Sequence, residues 1–295
     1  MWRGTARAPS TRCWETPSAR RTPSGARRKR NGTVSESGAP GGRRNERTLS
    51  AAVLRWRTEG TAAERAVVVR EEPLEIHLAQ RLFARIMRTP GQDAALAAGL
   101  LLAEGILRDR DDLTDLTAER GPDVDRLHVT LSPPARRRAT EPQGSAVACG
   151  RTPRAGVRIP AAIFSALLAE LDLRQELRAL SHGSHAVGTF DARGHLLSFA
   201  EDAGRHNAMD KAIGELFLRD ALEPLAVCLT TSRASFEMAQ KASGAGVPVL
   251  ATVSAPTSLA IQCAQDSGMT LVCRLRERGF EIYAGAERIA RPADA

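Results

Sequence analysis

Glu201-Asp-Ala-Gly-Arg-His-Asn-Ala-Met-Asp-Lys211 packs three acids, two cations, a histidine and an asparagine into eleven residues. A solvated helix face rarely combines His, Asn and Gly. Gly204 lets the backbone turn, and Arg205, His206 and Asn207 then begin a helix. The first helical N–H groups and the positive end of the helix dipole favour an anionic group there. A plainer reading fits equally well: a capped helix with Asp202 as N-cap and a few salt bridges.

The flanks of this run set the architecture. Before it, His185–Phe190, the turn Asp191–Gly194 and His195–Phe199 read as a β-hairpin. After it, the pattern alternates. Helix Asn207–Leu218 leads to strand Leu225–Thr230, helix Ala234–Ala242 to strand Val247–Thr252, and helix Pro256–Asp266 to strand Thr270–Leu275. A last strand is Phe280–Tyr283. Such alternation predicts an α/β fold, a mixed sheet with helices on both faces. Further upstream, Val67–Arg70, Leu74–His77, Arg81–Arg88 and Arg126–Ser132 read as strands. Asp93–Glu104 reads as a helix capped by Asp93. Pro134–Ala148 reads as a loop, and a helix is expected from Pro160 to Leu177.

The net charge of +8 and pI near 10 suggest a nucleic-acid binder. Divided by region, that impression fades. Residues 1–50 carry +9, from eleven Arg and one Lys against three Glu, so the remainder carries −1. The same segment is rich in Ser, Gly, Pro and Thr without periodicity. It cannot bury enough apolar area to offset its ordering entropy. The division drawn is a disordered Arg-rich extension at 1–60, a smaller α+β N-terminal subdomain at 61–145 and a main core at 146–290. Apolar runs are too short or too charged to span a bilayer. Five cysteines without C-x-x-C spacing or a secretory signal fit a cytosolic chain.

Several segments could carry chemistry. Cys149 lies in Gly144–Arg154 with Arg151 and Arg154 close by, and nearby cations raise a thiolate fraction; an inert loop thiol is the alternative. Ser181-His-Gly-Ser-His185 lacks the further ligands of a zinc site and the elbow of a hydrolase, and reads as a polar pocket lining or a hairpin cap. Thr230–Ser235 and Val253–Ser258 each follow an apolar strand and open a helix, a place where α/β folds bind phosphate; N-capping by Ser232 is the plain alternative. Arg274–Arg278 adds three cations.

Taken in order, Glu71–Ile76, Met87–Asp93 with Ala103–Ile106, Glu201–Lys211, Ser232–Ser235 and Val253–Ala260 resemble the signatures of the formate dehydrogenase accessory sulfurtransferase family, FdhD. The resemblance covers about Val67 to Tyr283. It implies a cytidine-deaminase-like core without zinc, in a cytoplasmic homodimer. It implies a sulfurtransferase that takes persulfide sulfur from a cysteine desulfurase. The sulfur goes to the molybdenum cofactor, as the bis-molybdopterin guanine dinucleotide, for formate dehydrogenase. Cys149 matches the first cysteine of the family's C-G-x-C-G loop and is the expected persulfide carrier. Thr152 replaces the second cysteine, which keeps open a cofactor-binding chaperone with weakened or lost transfer. The family's nucleotide segment falls on Arg274, Leu275, Arg276, Glu277, Arg278 and Gly279. There Arg274 stands for Phe and Gly279 for the last Arg. Arg205, His206, Asn207 and Lys211 are the further candidates for holding the dinucleotide. A zinc hydrolase and a nucleic-acid binder acting through the Arg-rich tail are the other classes weighed.

Overall fold

The computed structural model describes residues 47–141 and 152–290. The first elements are β1 (Thr48–Arg57) and β2 (Gly60–Val69), paired as an antiparallel ribbon. The extension expected to reach residue 60 therefore ends in strand: Val53 and Leu54 lie in an alternating stretch that pairs with Ala63 and Glu64. Next come β3 (Glu72–Leu78), β4 (Arg81–Arg88), α1 (Asp93–Ala103), β5 (Leu113–Glu119) and β6 (Asp125–Leu131). Their strands form a four-stranded sheet in the order β4-β3-β6-β5. Asp93 is the first helical residue rather than the cap, which is Gln92 in the left-handed region. The Asp93 carboxylate is occupied by buried Arg88 at 2.8 Å.

Part of the expected loop after β6 is the helix α2 (Pro133–Arg138), started by two prolines and capped by the Ser132 hydroxyl. Across the second described stretch run β7 (Ile159–Pro160), α3 (Ile163–Leu173) and α4 (Glu176–Ser181). Pro160 thus closes a short strand instead of starting a long helix, and two helices stand where one is expected. The rest follows the alternation: β8 (His185–Phe190), β9 (Leu196–Asp202), α5 (Arg205–Leu218), β10 (Val227–Thr230), α6 (Phe236–Gly244), β11 (Val249–Thr252), α7 (Ser258–Ser267), β12 (Thr270–Arg276), β13 (Gly279–Ala284) and β14 (Ile289–Ala290).

The main sheet is mixed, in the order β13-β12-β11-β10-β8-β9, with β10, β11 and β12 parallel. β10 and β11 are buried along their whole length, as parallel strands covered on both faces must be. One core lies under α3, where Phe164 and Leu171 meet Val227 and Val249. The other joins the small sheet to α1, α5, α6 and α7, so both sheets belong to one compact unit. At its centre α1 and α5 touch backbone to backbone. A Cβ on Gly99 would overlap the Asp210 carbonyl, and one on Gly214 the Ala95 carbonyl. Among the described residues no helix is long and apolar enough to cross a membrane.

Candidate functional site: cationic clusters at the carboxyl ends of the parallel strands

Topology gathers the chemistry-bearing segments at one edge. β8 runs against β10, pairing Val187 with Thr230, so His185 stands beyond the carboxyl end of β10. β9 returns against β8 and pairs Asp202 with His185. Helix α5 therefore starts at the edge where β10, β11 and β12 end. Carboxyl ends of parallel strands are where open α/β sheets take ligands.

The turn into α5 is held by Asp202, which is fully buried. Its Oδ1 accepts from the Gly204 N–H at 2.8 Å and the Asn207 amide at 3.0 Å. Its Oδ2 accepts from the Thr89 N–H at 3.0 Å and lies 2.7 Å from Lys211 Nζ. Lys211 also donates to the Thr89 carbonyl at 2.6 Å, and Asn207 to the Met87 carbonyl at 2.7 Å. Burial lowers the Lys211 pKa, against the pull of Asp202. Asp202 is not the N-cap: that position is Gly204, and no side chain caps the helix. Asn207 and Lys211 face inward, so of the four candidates on this run only Arg205 and His206 stand at the partly open surface.

Beside them lies a group of cations and imidazoles. The His185 pKa is depressed by burial, then by Arg205 and Arg178. That of His206 is depressed by burial, then by Arg205 and Lys241, with Glu237 opposing. Both shifts favour the neutral ring. His206 Nε2 is buried without a hydrogen-bond partner, its nearest carboxylate being Glu237 at 4.0 Å. Neither guanidinium, of Arg178 or Arg205, is paired with a carboxylate among the described residues. Lys241 is already occupied, at 2.7 and 2.9 Å from the two oxygens of Asp210. Burial raises the Asp210 pKa to about 6, with Lys241 pulling the other way. Guanidiniums without a carboxylate partner and an orphaned ring nitrogen at the strand ends fit a ligand anion.

The two strand-end loops line the same edge and are joined by a bridge between Ala234 and Pro256. The Thr252 hydroxyl donates to the Ser232 carbonyl, and Ser232 is buried. The cap of α6 is Ser235, so Ser232 fixes the loop instead. Farther along, Arg276 donates to the Val253 carbonyl and Arg274 N–H to that of Ser254. Arg274 is in the left-handed region at φ 52°, with its side chain 3.5 Å from Glu281. Arg274, Arg276, Glu277, Arg278 and Gly279 are exposed, while the Leu275 side chain is buried in the α3 core and leaves only backbone for a ligand. Four strand spacings, roughly 19 Å, separate β9 from β12. Arg205 and the 274–279 segment are therefore two cationic clusters on one edge, not one.

A profile of the FdhD/NarQ family matches residues 69–290. The chain belongs to the FdhD/NarQ family. It is 40% identical over 266 residues to the sulfur carrier protein FdhD of Streptomyces coelicolor, covering 81% of this chain and 94% of that protein. It is 34% identical over 250 residues to the sulfur carrier protein FdhD of Sulfurisphaera tokodaii, covering 80% and 97%. A crystal structure from Desulfotalea psychrophila, of a protein assigned as a formate dehydrogenase accessory protein, superposes with a TM-score of 0.72 at 25% identity. It covers 82% of this chain and 99% of that one.

In this FdhD/NarQ chain Cys149 lies outside the described residues, as do Gly150 and Arg151. The residues flanking that segment sit at the opposite edge of the main sheet. After it, Thr152 is exposed, Pro153 is buried and Arg154 pairs with Glu223, just ahead of β10. Ile159–Pro160 then pairs with β14, beyond the end of β13. Before it, Arg138 binds the Ile106 carbonyl and Asp112, next to Arg110, which reaches the last residue of α5, Leu218. The sequence reading did not single out Arg178, Lys241 or Glu237. Glu237 and Lys241 lie on a helix that reads as an ordinary solvated one, Arg178 lies just past the expected end of another, and only the topology brings them to His185 and His206.

Proposed function

We propose that this chain is a sulfur carrier and sulfurtransferase that serves formate dehydrogenase. Cys149 is its persulfide-carrying residue. The thiolate attacks the terminal sulfur of a cysteine desulfurase persulfide. A new S–S bond forms on Cys149, and the desulfurase thiolate leaves. Onward transfer to the molybdenum cofactor in its bis-guanine-dinucleotide form, which is substrate here, would break that S–S bond and return the Cys149 thiolate, the two electrons that reduce the sulfur being drawn from the cofactor substrate. Arg205 and His206, with Arg274, Arg276 and Arg278, hold its anionic dinucleotide. Asn207 and Lys211 act by shaping the turn beneath. The names of the relatives support sulfur carriage, and the unpaired guanidiniums at the carboxyl edge support an anionic cargo.

The order β9-β8-β10-β11-β12, with one antiparallel hairpin beside three parallel strands, supports a cytidine-deaminase-like core. The protein is proposed to work in the cytoplasm as a homodimer, which a mass measurement in solution checks. The carrying observation is the group of Arg178, Arg205, His185 and His206 at the carboxyl ends of the parallel strands, with His206 Nε2 unpartnered. The deciding experiment is complementation of a strain lacking its own formate dehydrogenase sulfurtransferase, with labelled sulfur followed from desulfurase to protein. Label on Cys149 and restored formate dehydrogenase activity support the reading. Nucleotide binding without label would favour a cofactor chaperone, which exposed Thr152 in place of a second thiol makes the second reading.

A further inference from the structure

We infer that Glu201 and Asp202 are positioning residues of this cluster: adjacent buried carboxylates that set Arg178 and Arg205 beside His185. The inference rests on the reading of that cluster as an anion site. Successive strand residues point to opposite faces, so neighbours at the end of β9 can serve two different helices. Glu201 serves α4. Its Oε2 accepts from the Leu177 N–H at 2.8 Å, and its Oε1 from the Arg178 N–H at 3.0 Å and the Ser184 hydroxyl at 2.9 Å. One carboxylate thus fixes the residue that carries one guanidinium and the residue just before His185. Asp202 serves α5, through Gly204 and Asn207 on either side of Arg205.

Burying two adjacent carboxylates is costly unless each is fully hydrogen-bonded. Both are, at 1% and 0% exposure. A six-residue helix such as α4 has little stability of its own, and its first turn holds to the sheet through Glu201. Arg178 makes no ion pair among the described residues, so beyond the packing of buried Leu177 its position near His185 depends on that grip. Guanidiniums gathered in one place repel, and the buried His206 Nε2 has no hydrogen-bond partner. An arrangement that holds them there suits a ligand more than the fold.

The test is a double-mutant cycle read with guanosine diphosphate as the probe, on the full chain, by calorimetry. Glu201→Gln keeps the shape but loses an acceptor. It is expected to weaken guanosine diphosphate binding roughly 5- to 30-fold. In an Arg178→Ala background the same change should cost less than about twofold, because its target is gone. Asp202→Asn with Arg205→Ala should behave likewise. In parallel, NMR titration of His185 should shift upward in Glu201→Gln as Arg178 moves away. Should Glu201→Gln not fold, Ser184→Ala, which removes one donor to Glu201, replaces it in both measurements. Equal penalties with and without Arg178, or an unmoved His185 titration, would overturn the inference and leave Glu201 a merely structural cap. Failure of the wild type to bind guanosine diphosphate would instead sink the nucleotide reading. The positioning inference would then be judged on the His185 titration alone.

Discussion

The two edges of the main sheet are built on opposite plans. At the carboxyl edge, buried Glu201 and Asp202 are satisfied by several donors each, while Arg178 and Arg205 have no carboxylate partner among the described residues. At the amino edge, the segments flanking Cys149 are held by an exposed ion pair, a two-residue strand with Ile159 buried, and a short helix whose Arg138 binds Asp112. The length of α5, fourteen residues or roughly 21 Å, separates them. A preorganised edge suits capture of a charged cargo, because the ordering cost is met before the ligand arrives. The contrast implies that sulfur loading and cargo binding can be lost separately.

The largest effect is expected from Cys149→Ala. Complementation by this variant should fall to the level of the empty vector, while guanosine diphosphate binding stays within about twofold of wild type, the usual additivity limit for distant sites. Retained formate dehydrogenase activity would remove the thiol from the scheme. The mirror variant is Arg205→Ala. Loss of one charge-assisted contact to phosphate should weaken guanosine diphosphate about 10- to 100-fold. Label transfer from desulfurase to Cys149 should be unchanged. If one substitution damaged both readouts in a folded protein, the separation of the two edges would be wrong.

How far the sequence carried this contrast depends on the range of the interactions. The alternating strands and helices after His185 were legible because each is a local apolar period, and the all-buried β10 and β11 read as continuous apolar runs. The strand pairing of Thr48–Arg57 was hidden, since a ribbon exposed on most positions looks like polar linker. Pro160 misled because proline starts helices and also closes strands, and its pairing with Ala290 comes from 130 residues away. At the site, the Glu201–Lys211 run announced polarity but not direction. Lys211 and Arg205 differ only in which side of α5 they occupy. Which of them meets Asp202 and which meets solvent follows from Thr89, Met87 and Arg178, brought in by tertiary contacts. Arg178 itself carries no local signal.

A smaller effect should separate the edges by pH. His185 and His206 have depressed pKa values in the free protein, chiefly from burial and then from Arg205. A bound anion favours their protonated forms, so affinity must rise as pH falls through their range. Inorganic sulfate, which keeps its charge from pH 7.5 to 5, is the suitable probe. Its affinity should rise by roughly 3- to 10-fold, from about one unit of pKa coupling or less. The double variant His185→Gln, His206→Gln should bind with little pH dependence. Wild type with a flat profile would mean that the imidazoles do not face the anion.

The smallest effect belongs to the amino edge. Arg154 and Glu223 form an ion pair whose side chains are 46% and 81% exposed. Exposed pairs contribute about 0–1 kcal/mol, because water screens them and two long side chains must be ordered. Glu223→Ala should therefore shift the denaturation midpoint barely beyond error and leave guanosine diphosphate binding unchanged. It should still alter sulfur loading if the pair sets the stance of the segment that follows Cys149. The informative readout is thus the rate of label uptake from desulfurase, not stability. A change of about two- to fivefold in that rate, matching less than 1 kcal/mol, would show that the Arg154–Glu223 pair tunes loading. A rate identical to wild type would mean that Pro153 and Ile159–Pro160 alone anchor the chain there. A loss of nucleotide binding would contradict the division of the sheet into two independent edges, since Glu223 lies at the far end of α5 from Arg205.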